Sequence, residues 1–167
     1  KNKKKTTGNI LFKKDKNRIR TDFDYEDYRI TFRNANLRNV LLDGKFIGDV
    51  KFLPYFNFNL DVSLNGLNFN KFYSFLIDLN EKNNVNLFRV NKKINGKLHL
   101  SADKIYTKYN LINSFESRVE FVNGNILIEQ LLLNLGKLGA ADISGIIKNT
   151  EKFTNFKYEN NIYILTT

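Results

Sequence analysis

Residues 56–65 read FNFNLDVSLN. Phe56, Phe58, Leu60, Val62 and Leu64 alternate without a break with Asn57, Asn59, Asp61, Ser63 and Asn65. Successive side chains of a strand point to opposite faces, so this run is a strand with one apolar and one polar side.

The same grammar extends in both directions. Upstream, Asn9–Phe12 is a short, weak strand candidate; Tyr28–Arg33 puts Tyr28, Ile30 and Phe32 on one side. Lys45–Leu53 groups Phe46, Val50 and Phe52 around Gly48, and Pro54 then interrupts the ladder at an edge, a bulge or a strand start. Downstream, Lys97–Ala102 (Leu98, Leu100, Ala102), Ser117–Val122 (Val119, Phe121), Asn125–Leu135, Ala141–Lys148 (Ile143, Ile147) and Tyr158–Leu165 read as strands. In the longest, Ile126 and Ile128 share one parity and Leu127, Leu131, Leu133 and Leu135 the other. That strand is either buried on both sides or bulged at Glu129–Gln130. Asn65–Gly66 and Asn123–Gly124 read as turns, and Gly136 and Gly139 flank another.

One segment breaks the pattern. Phe72, Phe75, Leu76 and Leu79 fall at i, i+3, i+4 and i+7, one stripe of a short helix that Asn68 or Asn70 caps. Residues Asn80–Asn91 then read as a loop. The expected fold is mainly β: an antiparallel meander with one short α-helix, curled into a half-pipe or groove, or an open barrel-like sheet. A broad apolar sheet face with so little helix to cover it must roll up, pair with a second sheet or hold a ligand.

The chain has 167 residues and a net charge of +10. The charge is lopsided: residues 1–20 carry nine Lys or Arg against Asp15, while the rest is near neutral. We read residues 1–20 as a basic N-terminal arm and 21–167 as a single β-rich region. Abundant Lys, Asn, Ile, Phe and Tyr are also what an AT-rich coding sequence produces. Alternatively, the arm is a polybasic segment facing an anionic membrane. The near-neutral body argues against a specific nucleic-acid binder, and so do aromatics whose strand neighbours are Asn, Asp and Ser rather than Arg.

Little points to chemistry. There is no cysteine, hence neither disulfides nor thiolate metal sites. His99 is the lone histidine and reads as a solvent-facing strand residue. Asp22, Asp24, Glu26 and Asp27 lack the glycine and terminal glutamate spacing of a calcium loop and read as a solvated turn. No phosphate-binding glycine loop and no nucleophile elbow occurs. We expect no catalytic residues, no metal and no cofactor, and not an enzyme.

Three stretches together carry a resemblance: INGKLHLSADKIY from Ile94, ESRVEFVNGNILIEQLLLNLG from Glu116 and AADISGIIKN from Ala140. Gly96, Leu98, Leu100, Ala102 and Ile105 match a first strand motif. Gly124, Ile126, Ile128, Leu131 and Leu133 match a hairpin motif, and Ile143, Gly145 and Ile147 a closing one. In order and spacing this region, 94–149, is similar to the C-terminal region of AsmA-like proteins. FNFNLDVSLNGLNFNKFYSFL also resembles that family's element of alternating strand followed by helix.

The resemblance implies a segment of an inner-membrane-anchored protein projecting into the periplasm. Such proteins serve outer-membrane biogenesis, and their bridge-like relatives are thought to move phospholipid along an apolar groove. The expected partners are then phospholipid or other acyl chains, flanking β-rich segments of a longer protein, and a membrane reached through segments outside this chain. A start at Lys1 and a strand running to the end agree with an excised piece. The residues expected to line the groove or core are Phe56, Phe58, Leu60, Val62, Leu64, Leu98, Leu100, Val119, Phe121, Ile126 and Ile128. The alternative is a structural β-rich spacer or scaffold for outer-membrane assembly.

Overall fold

The computed structural model of the chain describes residues 5–83, 89–150 and 154–164, the side chains of 79–83 excepted. The strands are β1 (Thr6–Lys14), β2 (Asn17–Glu26), β3 (Arg29–Arg38), β4 (Leu42–Lys51) and β5 (Phe56–Asn68). Helix α1 (Phe69–Asn83) follows. Then come β6 (Ile94–Ala102), β7 (Ile105–Tyr106), β8 (Ser114–Val122), β9 (Asn125–Asn134), a 3₁₀ turn at Gly136–Leu138, β10 (Gly139–Asn149) and β11 (Thr154–Ile164).

All eleven strands form one sheet in the order β1-β2-β3-β4-β5-β6-β8-β9-β10-β11, with β7 beside β5. The sheet is mainly antiparallel and is not closed. Of the basic residues of 1–20, Lys13 and Lys14 lie on β1 and Arg18 and Arg20 on β2, whose hairpin pairs Thr6 with Tyr25 and Lys14 with Asn17.

Tight turns make the hairpins. Asn123 and Gly124 join β8 to β9, both at positive φ (51° and 83°), the geometry that suits the right-handed twist of the strands. Asp27 and Tyr28 do the same between β2 and β3 (φ 51° and 60°). Tyr28 therefore belongs to a turn rather than to the strand face the sequence assigned it.

Two expectations change. The sheet is not antiparallel throughout: β5 and β6 run parallel, Leu60 opposite Leu98 and Val62 opposite Leu100. The physical reason is the connection. Parallel neighbours need a crossover, and α1 lies in the segment that returns the chain to the start of β6. Asn65–Gly66 is not a turn either. β5 runs through it to Asn68, and Asn65 is the extra residue of a bulge between the Gly44–Leu64 and Asp43–Gly66 pairs. The bulge resets parity so that Leu64 and Leu67 face the same way.

The helix starts where expected: the Lys71 backbone N–H donates to Asn68 Oδ1 at 3.1 Å, an N-cap. It runs on to Asn83, into the stretch read as a loop; residues 84–88 of that loop lie outside the described residues. Phe72 and Leu76 are half-buried and Phe75 is exposed, while the Leu79 side chain lies outside the described residues. Phe72 packs with Leu64, Leu67, Ala102 and Ile105, a small core at one end of the sheet.

Elsewhere no second sheet covers the first among the described residues. Substantial contacts between elements run between hydrogen-bonded strands, with α1 touching β5 and β7. Small residues are the most deeply buried, Ala35 at 0% and Ala102 at 1% exposure, and no large side chain reaches that depth. A single layer whose middle strands are half-buried on one side is what a curled open sheet produces.

Candidate functional site

The register aligns the apolar side chains into rows that cross most of the sheet. One row runs Tyr25, Ile30, Val50, Phe58, Gly96, Phe121, Ile126, Ile147 and Phe156 from β2 to β11. The next contains Phe23, Phe32, Gly48, Leu60, Leu98, Val119 and Ile128. A third contains Ala35, Phe46, Val62, Leu100, Ser117, Leu131 and Ile143. The fourth contains Leu37, Gly44, Leu64, Ala102, Phe115, Leu133 and Ala141. At a strand spacing of about 4.8 Å the longest row is roughly 38 Å long.

Bulges keep the rows in line. On β9 the pairs Arg118–Gln130 and Val119–Ile128 leave Glu129 as the extra residue. Ile126, Ile128, Leu131 and Leu133 thereby share one face, which settles the parity conflict in that strand as a bulge. Shifts at Asp22/Phe23 on β2 and at Phe32/Ala35 on β3 do the same.

All eleven side chains singled out by the sequence lie on this one face. Leu64 and Ile126 are buried and the other nine half-buried. Leu64 belongs to the small core under α1 rather than to the open part. The structure adds Phe23, Ile30, Phe32, Phe46 and Val50 on one flank and Leu131, Leu133, Ile143 and Ile147 on the other. Several were visible as strand positions, but only the pairing across bulges shows that they continue the same rows. Exposure grows outward: Ile10 on β1 is 49% and Phe156 on β11 is 57% accessible.

Aromatic rings tile the face. Phe32 and Phe46 meet edge to face at 5.2 Å, and Phe58 and Phe121 lie 5.5 Å apart. Phe58 sits over Gly96: a Cβ there would meet the Phe58 carbonyl oxygen and lie 2.6 Å from its ring. A side chain left half exposed forgoes about 1 kcal/mol of the 1.5–3 kcal/mol that full burial supplies. Such a face gains from any apolar cover.

The opposite face is polar and closed on itself. The His99 ring spans two strands, Nδ1 3.3 Å from Asp61 Oδ2 and Nε2 3.1 Å from Glu116 Oε1. Arg118 donates to Gln130 Oε1 at 2.8 Å, and Gln130 donates to Asp142 Oδ2 at 3.3 Å. Asp24, from the acidic cluster, receives Lys5 at 3.2 Å, Arg33 at 3.3 Å and the Thr7 hydroxyl at 3.0 Å. Desolvation pushes its pKa up, but hydrogen bonds from Lys5 and Thr7 and the charges of Arg33 and Lys5 outweigh it, and the net direction is down.

Among the described residues no three His, Cys, Asp or Glu side chains group as a metal site. Concavities of about 610 and 500 Å³ exist. The first lies at a strand end beside Phe115, Leu133, Gly139 and Tyr163. The second lies among Lys5, Asp24, Glu26, Arg29 and Lys51. The first touches the fourth row through Ala102, Phe115 and Leu133; neither runs along the first three rows, and that part of the face is an open wall. Among the described residues no helix is long and apolar enough to cross a membrane. No protein-family model, curated protein or solved structure matches the chain.

Proposed function

We propose that the apolar face is a trough for acyl chains. In this reading the chain is a non-enzymatic segment of an AsmA-like envelope protein that handles phospholipid between membranes. It works on the periplasmic side of the inner membrane, held there by a segment outside this sequence. The observation that carries the reading is the set of four mainly apolar rows crossing seven to nine strands, with no second layer over them among the described residues. The motif order over 94–149 supports the family. Each methylene buried contributes about 0.8 kcal/mol, so roughly a dozen contribute on the order of 10 kcal/mol before ordering costs. Such binding needs area and no specific polar contact, which agrees with a face lined by Phe, Leu, Ile and Val.

Lipid extraction and mass spectrometry of the purified chain, with titration of a fluorescent fatty acid, test the reading. Leu60→Asp, in the middle of the second row, is expected to keep the strand signature in circular dichroism and to abolish binding. A chain free of lipid whose face is closed by self-association would overturn the reading. A β-rich spacer is the second reading, favoured by the edges of β1 and β11, which pair with nothing further among the described residues.

A further inference from the structure

The α1 end of the sheet collects exposed aromatic and basic side chains that belong to neither sheet face. Topology brings them together. β3 ends and β4 starts there, β5 ends there in α1, and the parallel β6 ends there too, leading through β7 to the start of β8. Backbone hydrogen bonds tie these pieces: Asn68 N–H to Leu41 O at 2.7 Å and Leu67 N–H to Lys104 O at 2.9 Å.

The rim so formed presents Val40, Phe69, Tyr73, Tyr106, Tyr109 and Leu111, all exposed, Tyr73 at 56% and Tyr109 at 70%. The Phe69 and Tyr73 rings stack at 6.2 Å, roughly 60–100° around α1 from the Phe72 side that packs on the sheet. Cations sit among the rings: Lys104 Nζ is 5.9 Å from the Tyr106 centroid and Lys108 Nζ 5.3 Å from that of Tyr109. The turn between β1 and β2, at the same end, adds Lys13, Lys14, Lys16 and Arg18 against Asp15. Acids at this end include Asp43, which lines a concavity with Tyr106, and Asp78 and Asp103.

We infer that this rim seats on an anionic bilayer surface. Tyr and other aromatics with an apolar body and a wet tip partition to the headgroup level. Lysines beside the rings match the negative surface potential of anionic lipid, which commits the rim to a membrane rather than to an apolar protein partner. The rim runs alongside the fourth row, at the strand ends, so membrane seating stands apart from the acyl-chain reading.

Flotation of the whole chain with vesicles tests it, using phosphatidylcholine alone and phosphatidylcholine containing phosphatidylglycerol. Flotation with the anionic vesicles, weakened by salt, is expected. Lys104→Gln with Lys108→Gln is expected to lower the partition coefficient roughly thirty-fold. Tyr73→Ser with Tyr109→Ser is expected to abolish flotation without moving the urea midpoint. Phe52→Ser with Tyr55→Ser, at the opposite end of the sheet, is expected to leave flotation unchanged. Absence of flotation, or loss only in the Phe52/Tyr55 variant, overturns the inference. Fatty-acid titration without vesicles separates the two ideas: a chain that binds fatty acid but does not float refutes the rim alone. A chain that floats but binds no fatty acid refutes the trough and leaves the rim standing.

Discussion

The Phe58 ring reaches across Gly96 to lie 5.5 Å from the ring of Phe121, two strands away. The glycine is what lets them meet, because it leaves a gap in the middle strand that the phenyl ring fills. Such a pairing restores side-chain cover to a position that has none of its own.

Gly96→Ala inserts a methyl group where the Phe58 ring and carbonyl already stand. We expect a destabilisation of about 1–3 kcal/mol, the range of overpacking in a fitted site. The urea midpoint measures it, and a second replacement, Phe58→Leu, should recover part of the loss by vacating the space.

Asn68 joins β5 to α1 and caps the helix through its Oδ1. Asn68→Ala is expected to cost about 0.5–2 kcal/mol. Because α1 touches the sheet through β5 and β7, the loss should be local. Hydrogen exchange of the first-turn amides should accelerate while the amides of β8 and β9 keep their protection.

Asp24 supplies a pH dependence. Its folded pKa is lowered by Lys5, Thr7 and Arg33 against the opposing desolvation, so the unfolded chain binds more protons in the acid range. The stabilisation is present above the unfolded value, about 4, and is lost as pH falls through the lowered folded value. Thermal unfolding between neutral pH and pH about 3 should show a shallower acid limb for Asp24→Asn than for the parent chain.

Glu129 is the extra residue of β9. Deleting it leaves Ile126, Ile128, Leu131 and Leu133 in plain alternation on the same face. The deletion should therefore fold, with a modest change in the urea midpoint. Deleting Leu127 instead throws Ile126 out of phase with Ile128 and should abolish cooperative unfolding, since a one-residue slip turns side chains to the other face.

These residues also show what the sequence made legible. FNFNLDVSLN is a strand because its period is unambiguous, and the Asn123–Gly124 hairpin follows from backbone chemistry that Asn and Gly satisfy cheaply. Asn65–Gly66 has the same composition but sits in a bulge, where Gly66 does not need a positive φ. Dipeptide identity alone does not separate a turn from a bulge; the partner strand does. The parallel β5–β6 junction was hidden for a related reason, because strand direction depends on where a connection returns and not on side-chain period. Eleven lining residues were readable from alternation. The flanking ones were not, because bulges at Arg33–Asn34 and Glu129 break the period locally while restoring it across the sheet.

The parallel seam that β5 makes with β6 and β7 divides the molecule into two stretches of antiparallel hairpins. Nearly all loop closure is therefore local, and the pairings along the β5 seam are the exception. Two separate polypeptides, one ending with α1 and one opening with β6, should recognise each other along that line and rebuild the whole. The molecule is in effect a pair of woven panels joined by a single stitch line.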